Sequence, residues 1–388
     1  MAVAAVEAAL DSAPAAAPAL DWRWALPRIA LVFLVTRLLV FGVGVAVEVT
    51  QEPPPPGVEV DERPILASLT AWDGRYYLGI ARDGYHAEPV HGQFADYAFF
   101  PLYPIVVRAV SVLTLGDGAL AAVLAANTAF ALALAALFAL SVRYLTPERS
   151  IRSLWYLALA PGAVAFALAY SDSLFLLLAV GAFLAAETKH PWLAGIAYAL
   201  ATLTRPPGIL LGLPLLVLYI DRDGLRPTRS WVPLLLGPLA LAAFFGYLWS
   251  LTGDPVATIA AQQAWGLPPE TDATRVPGSG DATTGLAPGT PLVVAIWLGT
   301  LALYLFLFVF FRHDHVRPSY WILAILPVAS VFAAGRLMSV PRFLAVAWPF
   351  DWVLAHRRSA WVPVVLLPAL AVLQVLLGWM AFTWELAP

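Results

Sequence analysis

Carboxylates beside aromatic side chains, and arginines stranded among apolar runs, are the places where this chain of 388 residues has the means for chemistry. The densest polar group is Trp72-Asp73-Gly74-Arg75-Tyr76-Tyr77-Leu78-Gly79-Ile80-Ala81-Arg82-Asp83-Gly84-Tyr85. Two readings fit Asp73, which opens it: a helix N-cap, for which Asp is a favoured residue, and a general base. A carboxylate next to Trp72 under a lipid-facing roof is short of water, and such a group seeks a proton, as from an acceptor hydroxyl. Arg205 in Thr204-Arg205-Pro206-Pro207, and Arg336 and Arg342 in the run 335–343, border apolar stretches. A charge there is costly unless it is paired or faces water. An anionic head group would satisfy all three, because guanidinium suits bidentate contact with phosphate. Tyr170-Ser171-Asp172-Ser173 reads either as a tight turn with an N-cap or as part of a polar site. In Phe99-Phe100-Pro101-Leu102-Tyr103-Pro104 two prolines bracket Tyr103 and exclude a regular helix interior, which also suits an ordinary turn. Arg37 and Asp351 lie inside apolar runs as partners of each other or of nearby carbonyls, with no role assigned.

These side chains need elements to hold them, and composition says which. The chain is 61% hydrophobic and 12% charged, against roughly 45–50% and about 25% for a soluble domain. The resulting expectation is an all-α polytopic membrane protein. Apolar runs near 27–48, 118–143, 151–169, 172–187, 191–204, 207–220, 231–251, 291–312, 318–334, 342–355 and 361–383 give about eleven spans. Residues 1–24 read as a disordered cytoplasmic tail without a signal peptide, and 25–388 as one transmembrane domain. With the N-terminus inside, short cytoplasmic loops hold Arg23, Arg28, Arg143, Arg149, Arg152, Lys189, Arg222, Arg226, Arg229, Arg312, Arg317, Arg357 and Arg358, as the positive-inside rule requires. The long loops 49–117 and 252–290 then fall outside, and 99–115 becomes a juxtamembrane or re-entrant helix.

Several chemistries are excluded or unsupported. Without cysteine there is no disulfide, thiolate metal site or thiol nucleophile. A net charge of −3 with no basic block argues against nucleic acid. The histidines, His313 and His315 among them, have no zinc spacing, and no glycine-rich nucleotide loop occurs. No cofactor is expected. A divalent metal held by Asp73 with Glu48, Glu52, Glu59, Asp61 and Glu62 is the less favoured alternative, since the proline run 53–56 makes that stretch a stiff connector.

The run 72–85 followed by Phe99 to Pro104, the Tyr170 to Phe175 turn, Thr204 to Gly208, Gly253-Asp254-Pro255 with Gln262 to Trp265, and Pro341-Arg342-Phe343 resemble the PIG-V mannosyltransferase family. The resemblance spans residues 72 to 350, and its first pair of motifs is the most specific. It implies a GT-C-like bundle and a glycosyltransferase that passes a mannosyl group from a polyprenyl-phosphate donor to a hydroxyl on the non-cytoplasmic side, with inversion to an α-mannoside. Asp172 stands where eukaryotic relatives would carry Glu. With a single lysine and much alanine, this suggests an actinobacterial plasma-membrane member acting on a lipid, glycan or protein.

The residues and the resemblance together assign roles. Asp73 is the expected catalytic base, while Arg205, Arg342, Arg336 and Tyr103 are expected at the donor phosphate and lipid. Trp72, Arg75, Tyr76, Tyr77, Tyr85, Asp172, Gln262 and Trp265 are expected to contact substrate. Membrane lipid is the surrounding partner, and nothing in the chain names a protein partner. A lipid or sugar transporter is the competing class, because intramembrane arginines and broken helices also mark transport paths. No inverted repeat accompanies them, and the polar residues crowd one face.

Overall fold

The computed structural model describes residues 20–50, 64–88, 95–264, 291–311, 316–333, 340–357 and 361–383. Among the described residues every regular element is a helix. In chain order the α-helices are α1 (Trp22–Thr50), α2 (Pro64–Leu69), α3 (Asp73–Asp83), α4 (Leu102–Ser111), α5 (Gly118–Ser141), α6 (Pro147–Leu159), α7 (Asp172–Glu187) and α8 (Pro191–Thr202). They continue as α9 (Gly212–Asp223), α10 (Leu236–Thr252), α11 (Ala257–Ala264), α12 (Pro291–Phe311), α13 (Pro318–Ala333), α14 (Val340–Leu344), α15 (Pro349–His356) and α16 (Trp361–Phe382). Short 3-10 turns cover Asp96–Ala98, Ala163–Phe166, Pro206–Leu211 and Arg229–Leu235.

Within the described residues each apolar run expected from the sequence is helical, but length divides them. Trp22–Thr50, Gly118–Ser141, Arg229–Thr252 and Trp361–Phe382 are long and apolar enough to cross a membrane. Others, such as Pro191–Thr202, are shorter, or are broken where proline intervenes. The expected span 151–169 stops at Leu159, before Pro161 and Gly162, and resumes as the turn Ala163–Phe166. The expected span 342–355 divides into α14 and α15, with Pro349 opening the second. The segment 99–115 forms the short helix α4, which buries Tyr103, Pro104 and Val107 and exposes Ile105.

Small side chains set the packing at the centre. Helix α5 is rich in alanine and buries Ala121, Ala122, Ala125, Ala126, Ala129 and Ala133 while touching α1, α4, α6 and α7. In a membrane, where helices gain little by leaving lipid, such close approach supplies the attraction. Phe130, Leu134, Leu157, Leu176, Phe183, Tyr320, Trp348 and Trp352 build one core cluster. A second cluster, under α3 and α4, gathers Val40, Leu69, Tyr77, Tyr103, Val107, Ala169 and Tyr170.

One glycine contact joins the two halves of the chain. A Cβ on Gly162 would lie 2.1 Å from the Pro341 carbonyl oxygen and 2.4 Å from the Arg342 backbone nitrogen. Backbone atoms cannot swing aside as a side chain can. Gly162→Ala is therefore expected to destabilise the protein by about 1–3 kcal/mol or more, whereas Gly181→Ala, whose Cβ meets nothing within 4 Å, should be neutral or stabilising within about 1 kcal/mol. Thermal unfolding of both variants in detergent checks the contrast.

Candidate active site

Proline chemistry aims the first arginine. A residue before proline is driven out of the helical region, and Arg205, ahead of Pro206, is extended at φ −156° and ψ 150°. That break follows α8 and turns the guanidinium toward the start of α7. There Asp172 occupies the first turn, where the helix dipole favours a carboxylate. Arg205 Nη1 donates to Asp172 Oδ1.

Arg342 binds the same carboxylate and a second one. Its Nε lies 3.0 Å from both Asp172 oxygens and its Nη2 2.7 Å from Oδ2. Its Nη1 donates across 2.6 Å to Asp73 Oδ2. The guanidinium also sits 4.4 Å above the Tyr170 ring, and that of Arg205 lies 5.2 Å from the Phe343 ring. Side-chain exposure differs sharply across the network: 0% for Asp172, 7% for Arg342 and 26% for Asp73. Asp172, expected against substrate, is instead sealed behind the two arginines, and Asp73 is the carboxylate open to an incoming molecule.

Asp73 is the first residue of α3 and does not cap it. The N-cap position is Trp72, at φ 56° and ψ −120°, with no side-chain cap bond. A bulky residue at positive φ costs of order 1–3 kcal/mol and needs support. The Trp72 indole supplies some, donating Nε1–H to the Ala381 carbonyl at 2.9 Å. The loop before α7 closes in behind: Ala169 N–H donates to Leu69 O at 2.8 Å.

The other expected site residues form the surroundings. Tyr76 stacks on Phe99 with centroids 4.7 Å apart, and the Tyr77 hydroxyl is 2.7 Å from Ser171 Oγ, one residue before Asp172. Burial pushes the Tyr76 phenol up to about 12 and raises that of Tyr77, so neither ionises near neutrality to act as a base. Arg75 is half-buried on α3. Tyr85 donates to Phe99 O at 2.7 Å, and Gln262 of α11 donates to Ala98 O. Tyr103 is fully buried with its hydroxyl on Ala122 O at 2.8 Å; it joins α4 to α5. Arg336, Trp265, Glu52, Glu59, Asp61 and Glu62 lie outside the described residues. Glu48 accepts from Ser68 Oγ at 2.7 Å. Arg37 reaches Asn127 Oδ1 at 3.4 Å, an amide oxygen and not the Asp351 carboxylate.

Both network arginines line a small cavity. Phe175, Leu210, Leu211, Leu323, Phe343 and Trp348 contribute to an otherwise apolar lining. Leu210, Leu211, Leu323 and Trp348 of this wall have no signal in the sequence, because their meeting depends on which turns of different helices come together.

Residues 30–218 match the family model described as Mannosyltransferase (PIG-V). Over that segment the chain is PIG-V-like. Curated relatives of the chain include GPI alpha-1,6-mannosyltransferase 2 of Homo sapiens and of Cricetulus griseus, each 30% identical over 156 residues. The alignment covers 38% of this chain and only 30% of each relative's length. Among solved structures, ArnT from Cupriavidus metallidurans bound to undecaprenyl phosphate has a TM-score of 0.53 at 14% identity, covering 94% of this chain and 77% of ArnT. An Archaeoglobus fulgidus oligosaccharyltransferase has a TM-score of 0.51 at 13% identity, covering 92% of this chain and 53% of that one. The fold resembles that of ArnT and of the oligosaccharyltransferase, and its long apolar helices mark the chain as an integral membrane protein.

Asp172→Asn leaves two buried guanidinium groups without their shared charge. Breaking a buried pair from one side typically costs about 3–5 kcal/mol. A loss of that size in detergent-solubilised protein, read by denaturation, is the expected outcome.

Proposed function

We propose that this protein is a membrane mannosyltransferase that takes a mannosyl group from a polyprenyl-phosphate donor. The observation that carries the reading is the arrangement at Arg342: it lines an apolar cavity together with Arg205 and holds the partly open Asp73. An apolar cavity with cationic side chains in its wall suits a lipid bearing a phosphate, and guanidinium suits that phosphate. The undecaprenyl phosphate bound to ArnT, a protein of similar fold, supports the same ligand class.

In this mechanism Asp73 takes the proton of an acceptor hydroxyl as its oxygen attacks the anomeric carbon of a β-linked mannosyl phosphate. The bond to the phosphate oxygen breaks on the opposite face, which inverts the centre to an α-mannoside. Charge developing on the lipid phosphate is stabilised by Arg205 and Arg342, electrostatic help that is often the largest contribution to catalysis. The acceptor is a lipid, glycan or protein hydroxyl. The inside bias of the short basic loops supports a site on the non-cytoplasmic face of the plasma membrane, with the N-terminus cytoplasmic.

Membranes carrying wild type or Asp73→Asn, supplied with radiolabelled polyprenyl-phosphate mannose and a lipid extract, test the assignment. Transfer should fall by about 10²–10⁴-fold in the variant; near-normal transfer would remove Asp73 from the chemistry. Arg205→Ala should weaken donor binding by about 10–100-fold, and unchanged affinity would remove it from the phosphate site.

A further inference from the structure

The network of Asp73, Arg342, Asp172 and Arg205 holds two positive and two negative side chains. With those charges balanced, it has no surplus positive charge to hold an anion. A lipid phosphate seated at the arginines would make a mostly buried group net negative, which is costly in a medium of low dielectric. Among these four side chains, only a carboxylate can give that relief. Asp172 is sealed and takes three contacts from Arg342 and one from Arg205. Asp73 is a quarter exposed and holds Arg342 through Nη1 alone.

We propose that Arg342 is handed from Asp73 to the phosphate of the lipid-linked substrate, so that the donor must be seated before Asp73 is free to receive the acceptor proton. This rests on the donor reading above. The fork geometry permits it, since Nε and Nη2 stay on Asp172 while Nη1 changes partner. The charges also balance through the reaction. As the acceptor oxygen bonds to the anomeric carbon, its proton passes to Asp73, which becomes neutral. The bonding pair of the breaking link leaves with the phosphate, which gains one negative charge. Arg342 thus loses its claim on one anion as the other strengthens. Until the donor is seated Arg342 keeps the base occupied, which protects a bound acceptor from unproductive deprotonation and gives Arg342 a positioning role besides its contact with the phosphate.

The test uses the full chain in nanodiscs of neutral lipid, with undecaprenyl phosphate as probe and undecaprenol as its uncharged control. Asp73→Asn removes the competitor for Arg342 and should tighten undecaprenyl phosphate binding by roughly 3–30-fold, with undecaprenol unaffected. Asp73→Ala provides the same comparison should the amide fold poorly. In an Arg342→Lys background, which keeps a charge for Asp172 but not the fork, the tightening should vanish. Equal or weaker binding by both Asp73 variants would overturn the handover while leaving the donor reading intact. Tightening that persists in the lysine background would also overturn it, since competition would then not run through Arg342. If wild type fails to prefer undecaprenyl phosphate over undecaprenol, the donor reading falls and the handover with it.

Discussion

Asp172 at the start of α7 is the anchor on which the site depends, because it binds two arginines that arrive from distant parts of the chain. It lies 33 positions from Arg205 and 170 from Arg342. Each guanidinium is buried, and neither would remain so without a carboxylate to meet it. The fold has to bring α7, the Arg205-Pro206 break and α14 to one point for the charges to be satisfied. Gly162 reflects the same requirement in backbone terms, since only a residue without a Cβ lets the turn after α6 touch Pro341 and Arg342.

The other end of α7 carries a polar group of a different kind. Glu187 accepts there from the hydroxyls of Tyr144 and Tyr320, the latter at 3.2 Å. Arg143 and Arg222 donate to the backbone carbonyls of Glu187 and Ala186. Tyr144 stacks on Trp352 at 5.0 Å. That group is rich in charge and aromatic rings, yet its donors end on neighbouring helices and tie their ends together. Abundance of polar residues therefore does not separate a working site from a brace. The candidate site differs from that brace in the cavity beside Arg205 and Arg342 and in the partial exposure of Asp73.

Helix positions are legible in the sequence because apolar runs and proline breaks are local properties. The start of α7 at Asp172 and of α8 at Pro191 follow from the turn residues around them. Arg205 is legible as a costly charge at the edge of an apolar run. Its partner is not, because Asp172 serves equally well as an N-cap when only its neighbours are considered. For the same reason Asp73 suits a cap, although its carboxylate reaches across 269 positions to Arg342. Tyr103 marks the reverse difficulty: proline on both sides makes it conspicuous, whereas its hydroxyl settles on the Ala122 carbonyl and ties α4 to α5. Tertiary contact assigns these side chains, and local spacing does not encode it.

The family match and the ion network divide the chain differently, and the difference has a physical meaning. Residues 30–218 contain Asp73, Asp172 and Arg205, two carboxylates and one arginine. Taken alone, that set carries a net negative charge around a sealed Asp172. Arg342, from beyond the matched segment, restores neutrality and is the group that touches both carboxylates. A segment that needs a cation from elsewhere cannot be a self-sufficient site. The later helices therefore complete the ion network, and α14, only five residues long, matters more to it than its length suggests. Its position is fixed from both sides: by Gly162 against its backbone and by Asp172 against its side chain.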